Sequence, residues 1–203
     1  MPHPAFPPHT PLVLGTYNLK KLLELCELLA PLGSPLKMLT DFPQAITVEE
    51  TGDSFAANAA LKASEQALHL KAWVLGEDSG LSVDALGGRP GIFSARYAGP
   101  GASDGDNNRL LLEELAAVPH DRRTAHYTCH VALSDPAGQI VARNEAYCQG
   151  LIRFEPVGTA GFGYDPLFEI AEYHRTFGQL GIAVKRVLSH RARAVAQLVE
   201  MLT

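Results

Sequence analysis

Short apolar runs and longer segments with apolar residues at helical spacing alternate along the chain. Residues 12–16 and 73–75 are apolar runs of the length expected for buried strands. After Asn18, leucines recur every three or four residues up to Pro31, which predicts a helix capped by Asn18. Residues 55–71 are rich in Ala and Leu and predict a second helix. The first third of the chain therefore predicts strand, turn, helix, helix and strand.

The second half adds an antiparallel signal. A helix is predicted over residues 104–117, and Pro119 stops it. A closing amphipathic helix is predicted over residues 185–202, with Ser189 as its cap if the helix begins there. Residues 125–134 and 139–148 predict two strands joined by the turn D-P-A-G. Interleaved helices and strands with one hairpin favour the α/β class with a mixed central sheet.

Composition and charge narrow the class of partner. The formal net charge of −5 argues against a nucleic-acid backbone as the direct partner. Three widely spaced cysteines give neither a disulfide scaffold nor a zinc site, so we expect a reducing, cytoplasmic compartment. No apolar run approaches the roughly 18 residues of a membrane span. Residues 1–11, rich in Pro and His, lack the apolar core of a signal peptide and predict a flexible tail before a single domain over residues 12–203.

The first candidate for chemistry is the turn between the first strand and the first helix. A helix N-terminus that faces a strand end presents free N–H groups and a favourable dipole to an anion. Thr16, Asn18 and Lys21 add a hydroxyl, an amide and an ammonium, which suit phosphate. A capped surface helix with solvated lysines is the alternative interpretation of this segment.

Two acidic pairs, Glu49-Glu50 and Glu77-Asp78, are predicted at strand ends. Carboxylate oxygens are what Mg²⁺ prefers, and the ion is usually shared with substrate phosphates. Either pair alone is also compatible with a solvated turn.

A glycine-rich loop, residues 158–166, is the third candidate. Glycine permits a close approach of the backbone to a ligand, and Phe162 and Tyr164 offer ring faces for a base. Asp165 offers an acceptor, while His190 and Arg191 further along offer donors. The alternative interpretation is a structural loop packed by its own aromatic residues, with His190 and Arg191 on a solvent-exposed helix face.

Taken together, these segments resemble the inosine triphosphate pyrophosphatase family, the Ham1-like dITP/XTP pyrophosphatases. Residues 78–99 read D-S-G-L-S-V-D-A-L-G-G-R-P-G-I-F-S-A-R-Y-A-G, close to the family pattern, and G-F-G-Y-D-P and S-H-R follow at residues 161–166 and 189–191. Upstream, E-T-G-D-S-F at residues 50–55 precedes Asn58 and Lys62 in the family order. The similarity covers about residues 12–202, and the long central motif is highly specific.

The resemblance implies an elongated, two-lobed Maf/Ham1 fold with a deep cleft, usually a homodimer. It implies Mg²⁺-dependent hydrolysis of non-standard purine nucleoside triphosphates (ITP, dITP, XTP, dXTP) to monophosphate and pyrophosphate. Asp78 corresponds to the general base, and Glu49, Glu50 and Asp78 correspond to the metal ligands. The positions that the resemblance implies for substrate binding are Thr16, Tyr17, Asn18, Lys21, Lys62, Ser79, Phe162, Gly163, Tyr164, Asp165, Lys185, His190 and Arg191.

Three departures from the family pattern concern the site. Tyr17 stands where glycine is common, so the phosphate turn must accept a bulky side chain. Glu77 replaces the commoner Asp and keeps the carboxylate. Ala57 and residues 179–184 lack acidic side chains that relatives carry, which bears on the number of metal ions.

Two other functions compete with this interpretation. A Maf-type pyrophosphatase would act on modified pyrimidine or broader nucleotides, which the central motif disfavours. A regulatory module would bind the nucleotide without hydrolysing it, although Lys21, Glu50, Asp78 and His190 are all present.

Overall fold

The structure is a computed structural model that describes residues 6–203. Seven strands of this described part form one sheet in the order β2-β1-β3-β4-β5-β6-β7. The strands are β1 (Leu12–Leu14), β2 (Leu36–Met38), β3 (Trp73–Val83), β4 (Thr124–Ser134), β5 (Ile140–Ile152), β6 (Phe168–Ile170) and β7 (Arg175–Thr176). β1 is parallel to β2 and β3, whereas β6 is antiparallel to β5 and β7. The prediction of an α/β fold with a mixed sheet is confirmed.

Five helices accompany the sheet within the described residues. They are α1 (Leu19–Leu28), α2 (Phe55–Leu70), α3 (Asp104–Glu114), α4 (Phe177–Leu188) and α5 (His190–Leu202). Asn18 caps α1 as predicted, since its side chain accepts hydrogen bonds from the backbone N–H groups of Lys20 and Lys21. None of these helices has the length and hydrophobicity that a membrane span requires.

Some boundaries differ from the prediction. β3 runs through the acidic pair and ends at Val83, so these carboxylates lie within a strand rather than at its end. The closing helix does not run unbroken from residue 185: Ser189 adopts an extended conformation (φ −68°, ψ 155°), and α5 begins directly after it, at the alternative start that Ser189 marked. Residues 47–50 form no strand. Residues 1–5 of the proposed tail lie outside the described residues, while Phe6 is buried with its ring edge-on to Trp73, 5.2 Å between centroids.

The chain divides into two compact units. Of the described residues, the first unit comprises 6–78, 129–146 and 191–203, and the second comprises 79–128 and 147–190. Each unit has its own hydrophobic core: Leu14, Leu75 and Val131 belong to the first, and Leu81, Leu111 and Phe168 to the second. The deep cleft that the resemblance implies stays a prediction.

Gly76 brings helix α2 unusually close to strand β3 in the first unit. A Cβ atom at this position would lie 2.1 Å from the carbonyl oxygen of Ala59 and 2.7 Å from the backbone nitrogen of Ala63. Only glycine accommodates such an approach. The small residues Ala59, Ala63 and Ala67 are buried along the same helix. The acidic pair that follows Gly76 is therefore held directly against α2.

Candidate active site

The two acidic residues of β3 have different partners because successive side chains of a strand point to opposite faces. Glu77 forms ion pairs with Lys21 of α1 and with Arg191 of α5. Asp78 instead contacts Asn58 and Lys62 of α2. Both carboxylates are buried, with exposed fractions of 1% and 5%. One strand thus presents a charged group to each of its two faces.

Lys62 joins two acidic segments that are distant in sequence. Its ammonium lies 2.9 Å from Asp78 Oδ1 and 3.0 Å from Glu50 Oε1. The amide of Asn58 donates to Asp78 Oδ2 at 3.3 Å and accepts from the N–H of Gly52 at 2.8 Å. The structure therefore brings Glu50 and Asp78 to one cation. Glu49 is exposed, and its side chain is not brought to Lys62 in the part of the chain described.

The environment of Asp78 makes its carboxylate a better proton acceptor. Burial raises the pKa of Asp78, although the positive charges of Lys62 and Lys21 oppose this shift. Burial also lowers the pKa of Lys62, but the neighbouring carboxylates of Asp78, Glu77 and Glu50 outweigh it, and the net shift is upward. Lys62 therefore stays charged, while Asp78 holds a proton more readily than a solvated aspartate does.

Glu77 is the centre of a second network, in which Glu77 and Arg191 are buried and Lys21 and Glu24 are half-buried. Its Oε1 accepts from Arg191 Nη2 at 3.0 Å and its Oε2 lies 2.9 Å from Lys21 Nζ, while Arg191 also pairs with Glu24. The thiol of Cys129 donates to the same carboxylate at 3.5 Å. Burial disfavours the charge on Arg191, but the two glutamates overcome this and raise its pKa. These ion pairs hold α1, β3 and α5 together beside the site of Glu50, Lys62 and Asp78, here called the acidic site.

The predicted phosphate turn is ordered by its own side chains. Thr16 Oγ1 accepts from the N–H of Asn18 at 3.2 Å, and the Asn18 side chain caps α1. Tyr17, the departure from glycine, is 50% exposed, and its hydroxyl lies 3.5 Å from the carbonyl oxygen of Ile46. Lys21 is committed to Glu77, so its ammonium would reach a phosphate from an existing ion pair.

In the second unit, the glycine-rich loop is organised around the buried Asp165. Its Oδ2 accepts from the N–H of Phe162 at 2.8 Å and from Lys185 Nζ at 2.7 Å. The same ammonium lies 4.1 Å from the centroid of the Phe162 ring, a cation–π contact. The N–H of Gly163 donates to Asp104 Oδ2 at 2.9 Å. Phe162, Gly163, Asp165 and Lys185 therefore form one ordered group.

The other predicted residues of the second unit are more enclosed. Tyr164 is 3% exposed and its hydroxyl donates to the Ser94 carbonyl at 2.8 Å, so its ring packs in the core instead of offering a face to a base. His190 is also buried and stacks on Tyr127, with ring centroids 4.6 Å apart and planes inclined by 8°. Ser79, which follows Asp78 on β3, is half-buried.

The carboxylates of the first unit fit a divalent cation. Glu50 and Asp78 already meet a single positive charge, the Lys62 ammonium, with the hard oxygen donors that Mg²⁺ prefers. The ion pairs of Lys62 contain two carboxylates against one cation, which leaves one net negative charge, whereas the Glu77 network contains two carboxylates and two cations. Among residues 6–203, no three His, Cys, Asp or Glu side chains form a metal site by themselves. The residues suit an ion shared with phosphate oxygens.

Two residues of this region, Glu24 and Gln66, lie outside the motifs that predicted the site. Glu24 follows Lys21 by one helical turn, but nothing in the sequence shows that Arg191 reaches it. Gln66 lies one turn beyond Lys62 on α2, and both of its side-chain polar atoms bond the backbone of Ile46. The spacing of Asn58, Lys62 and Gln66 at i, i+4 and i+8 is the signal that could have indicated a shared face.

Comparison with known proteins places this geometry in a family. A "dITP/XTP pyrophosphatase" of Rhodopirellula baltica is 55% identical over 94% of this chain and 92% of its own length. One of Geobacillus kaustophilus is 47% identical over 93% and 92%. Among solved structures, a HAM1 protein from Coxiella burnetii superimposes with a TM-score of 0.87 at 36% identity, covering 95% of this chain and 98% of that one.

The family profile spans nearly the whole chain. The profile of the Ham1 family matches residues 12–201, which includes both acidic segments, the phosphate turn, the glycine-rich loop and the start of α5. The resemblance inferred from the motifs is thereby confirmed. The chain belongs to the Ham1 family.

Proposed function

We propose that this protein is a nucleoside triphosphate pyrophosphatase that hydrolyses non-standard purine nucleotides (ITP, dITP, XTP, dXTP) to monophosphate and pyrophosphate, which keeps them out of DNA and RNA. The convergence of Glu50 and Asp78 on Lys62 carries the proposal. It supplies carboxylates for a cation and an ammonium for phosphate charge in one place. The names of the relatives at 55% and 47% identity support the same reaction.

Mg²⁺ is the proposed cofactor, and Glu49, Glu50 and Asp78 are its proposed ligands. When bound, the ion would neutralise phosphate charge and lower the pKa of a bound water. Lys21 and Lys62 balance the remaining negative charge of the triphosphate, the electrostatic contribution that dominates phosphoryl transfer. Thr16, Tyr17 and Asn18 would hold the phosphates at the start of α1.

Asp78 is proposed as the general base that accepts a proton from the attacking water. Its raised pKa suits that role, since the best catalytic acids and bases have pKa values near the working pH. Asp78→Asn should lower turnover by about 10²–10⁴-fold with an unchanged far-UV spectrum. Asp84→Asn, at an exposed position of the same motif, is the matched control and should keep normal turnover. Near-normal turnover of Asp78→Asn would remove Asp78 from the role of base.

Base selection is proposed for the second unit. We propose that Phe162, Gly163, Asp165, Lys185 and His190 form the purine-binding group. Tyr164 supports this group from the core. Ser79 on β3 and Arg191 near the start of α5 are the other proposed substrate contacts. Hypoxanthine and xanthine carry a 6-oxo acceptor where adenine carries an amino donor. Side-chain and backbone donors would therefore leave adenine unmatched, which is costly in a buried site. Catalytic efficiencies measured on ITP, XTP, GTP and ATP test this; similar values on all four would contradict it.

The same nucleotide panel separates the other candidate functions. A Maf-type enzyme would prefer modified pyrimidine triphosphates, and a regulatory module would bind ITP without releasing pyrophosphate. We further propose a cytoplasmic homodimer with no direct nucleic-acid or membrane partner. Sedimentation equilibrium checks the homodimer, which a monomer would contradict. Cell fractionation checks the location, which a membrane-bound fraction would contradict.

A further inference from the structure

The segment that carries Glu50 is held in place by one face of helix α2. Residues 44–52, here called the acidic segment, contain no helix or strand. Polar side chains of α2 contact this segment in reverse order along the helix. From the C-terminal end of the helix to its start, the helix–segment pairs are His69 with Gln44, Gln66 with Ile46, Lys62 with Glu50 and Asn58 with Gly52.

Gln66 makes the most specific of these contacts. Its Nε2 donates to the Ile46 carbonyl at 2.8 Å, and its Oε1 accepts from the Ile46 N–H at 3.2 Å. The side chain therefore satisfies both backbone groups of one residue, as a neighbouring strand would. Gln66 is 1% exposed, which makes an unpaired amide or carbonyl at this point expensive.

The apolar anchoring of the acidic segment is slight. Ala45 packs partly buried against the cluster of Leu39 and Val74. Ile46 and Val48 are half-buried, whereas Thr47, Glu49 and Glu50 are exposed. Few buried apolar groups leave a loop free to open locally at low cost. The position of Glu50 along α2 thus depends on polar contacts, and Gln66 lies one helical turn from Lys62, where Glu50 meets Asp78.

We propose that Gln66 is a positioning residue that holds the acidic segment in register along α2, so that the Glu50 carboxylate meets Asp78 in the geometry that binds a divalent cation. This inference rests on the proposed function. Gln66 touches neither the cation nor the substrate; it acts through Ile46 and the three residues that separate Ile46 from Glu50. Loosening the segment lowers the fraction of molecules competent to bind metal, and apparent affinity falls by that fraction.

The test replaces Gln66 by Met, which keeps the side-chain length and helix propensity but removes both hydrogen bonds. Mn²⁺ serves as the probe, with its binding to the intact protein followed by electron paramagnetic resonance. Hydrogen exchange of residues 44–52 reports the segment itself. Gln179→Met is the matched control, because Gln179 also bonds a backbone N–H, that of Thr176, but in the second unit.

We expect Gln66→Met to weaken Mn²⁺ binding about tenfold, the result of a segment in register one-tenth of the time. Exchange in residues 44–52 should accelerate, and kcat at saturating Mg²⁺ should stay within about twofold of wild type, since the completed site is unchanged. His69→Ala removes the neighbouring contact to Gln44 at an exposed position and should act in the same direction more weakly. Gln179→Met should leave Mn²⁺ affinity unchanged.

Two results overturn the inference. If Gln66→Met binds Mn²⁺ with unaltered affinity while the wild type is active and magnesium-dependent, the hydrogen bonds between Gln66 and Ile46 do not govern the metal site. Loss of kcat at saturating metal, with normal affinity, assigns Gln66 to a different role. A wild-type protein that releases no pyrophosphate refutes the proposed function instead, and that assay is independent of the Mn²⁺ titration.

Discussion

Gly76→Ala should damage stability and activity together, because one methyl group would separate α2 from β3. The new Cβ would stand 2.1 Å from the Ala59 carbonyl oxygen, and the obstacle is backbone, which cannot rotate away. Restoring an ordinary contact of about 3.2 Å needs a shift of about 1 Å between helix and strand. Overpacking of this kind costs about 1–3 kcal/mol.

The same shift acts on the acidic site. Lys62 Nζ lies 2.9 Å from Asp78 and the Asn58 amide lies 3.3 Å from it, so a displacement of about 1 Å takes both beyond hydrogen-bond range. A misplacement of about 1 Å in a catalytic group costs about 10²-fold in rate. We therefore expect turnover of Gly76→Ala to fall about 100-fold at saturating Mg²⁺.

Urea unfolding and pyrophosphate release measure the two effects. Gly105→Ala is the control, since a Cβ at Gly105 in the first turn of α3 meets only Ser103 Oγ, at 3.6 Å, and alanine favours a helix. Its stability should equal or exceed that of wild type, with normal turnover. A Gly76→Ala protein with wild-type unfolding midpoint and wild-type turnover would show that α2 does not hold the acidic site.

The remaining predictions concern buried or shielded groups. Arg191→Met leaves Glu77 without its guanidinium partner and should lower the free energy of unfolding by about 3–5 kcal/mol, measured in urea; an unchanged midpoint would contradict a structural role. Tyr97 has a pKa raised to about 12 by burial and by its hydrogen bond to Glu114, so Glu114→Gln should bring the phenol's absorbance titration to lower pH without reaching 10.0; an unmoved titration would exclude that contact. Burial raises the pKa of the Cys129 thiol, which should react with a thiol reagent only after unfolding; rapid reaction in the native protein would contradict its burial.

Local signals in the sequence predicted the elements well where capping and periodicity agree. Asn18 marks the start of α1, and the D-P-A-G turn joins β4 to β5 as expected. The short strands β2, β6 and β7 were missed because two or three residues give no periodicity. The apolar pattern of the closing helix runs across Ser189 and leaves two possible starts; the serine is the capping signal, and the backbone conformation shows that α5 begins after it.

The candidate site was predictable in its membership but not in its pairings. The motifs supplied Glu50, Lys62 and Asp78, and the structure joins them. Nothing in the sequence indicates that Arg191 forms ion pairs with Glu77 and Glu24, since these contacts connect residues more than a hundred positions apart. Long-range ion pairs follow from the fold, and a linear motif carries no information about them.

Product analysis of ITP hydrolysis tests the central claim most directly. The wild-type protein should convert ITP to IMP and pyrophosphate in equal amounts, with no orthophosphate, and should stop when EDTA removes Mg²⁺. Release of IDP and orthophosphate, or turnover that persists unchanged in EDTA, would contradict the account of a cation held by Glu50 and Asp78 beside Lys62.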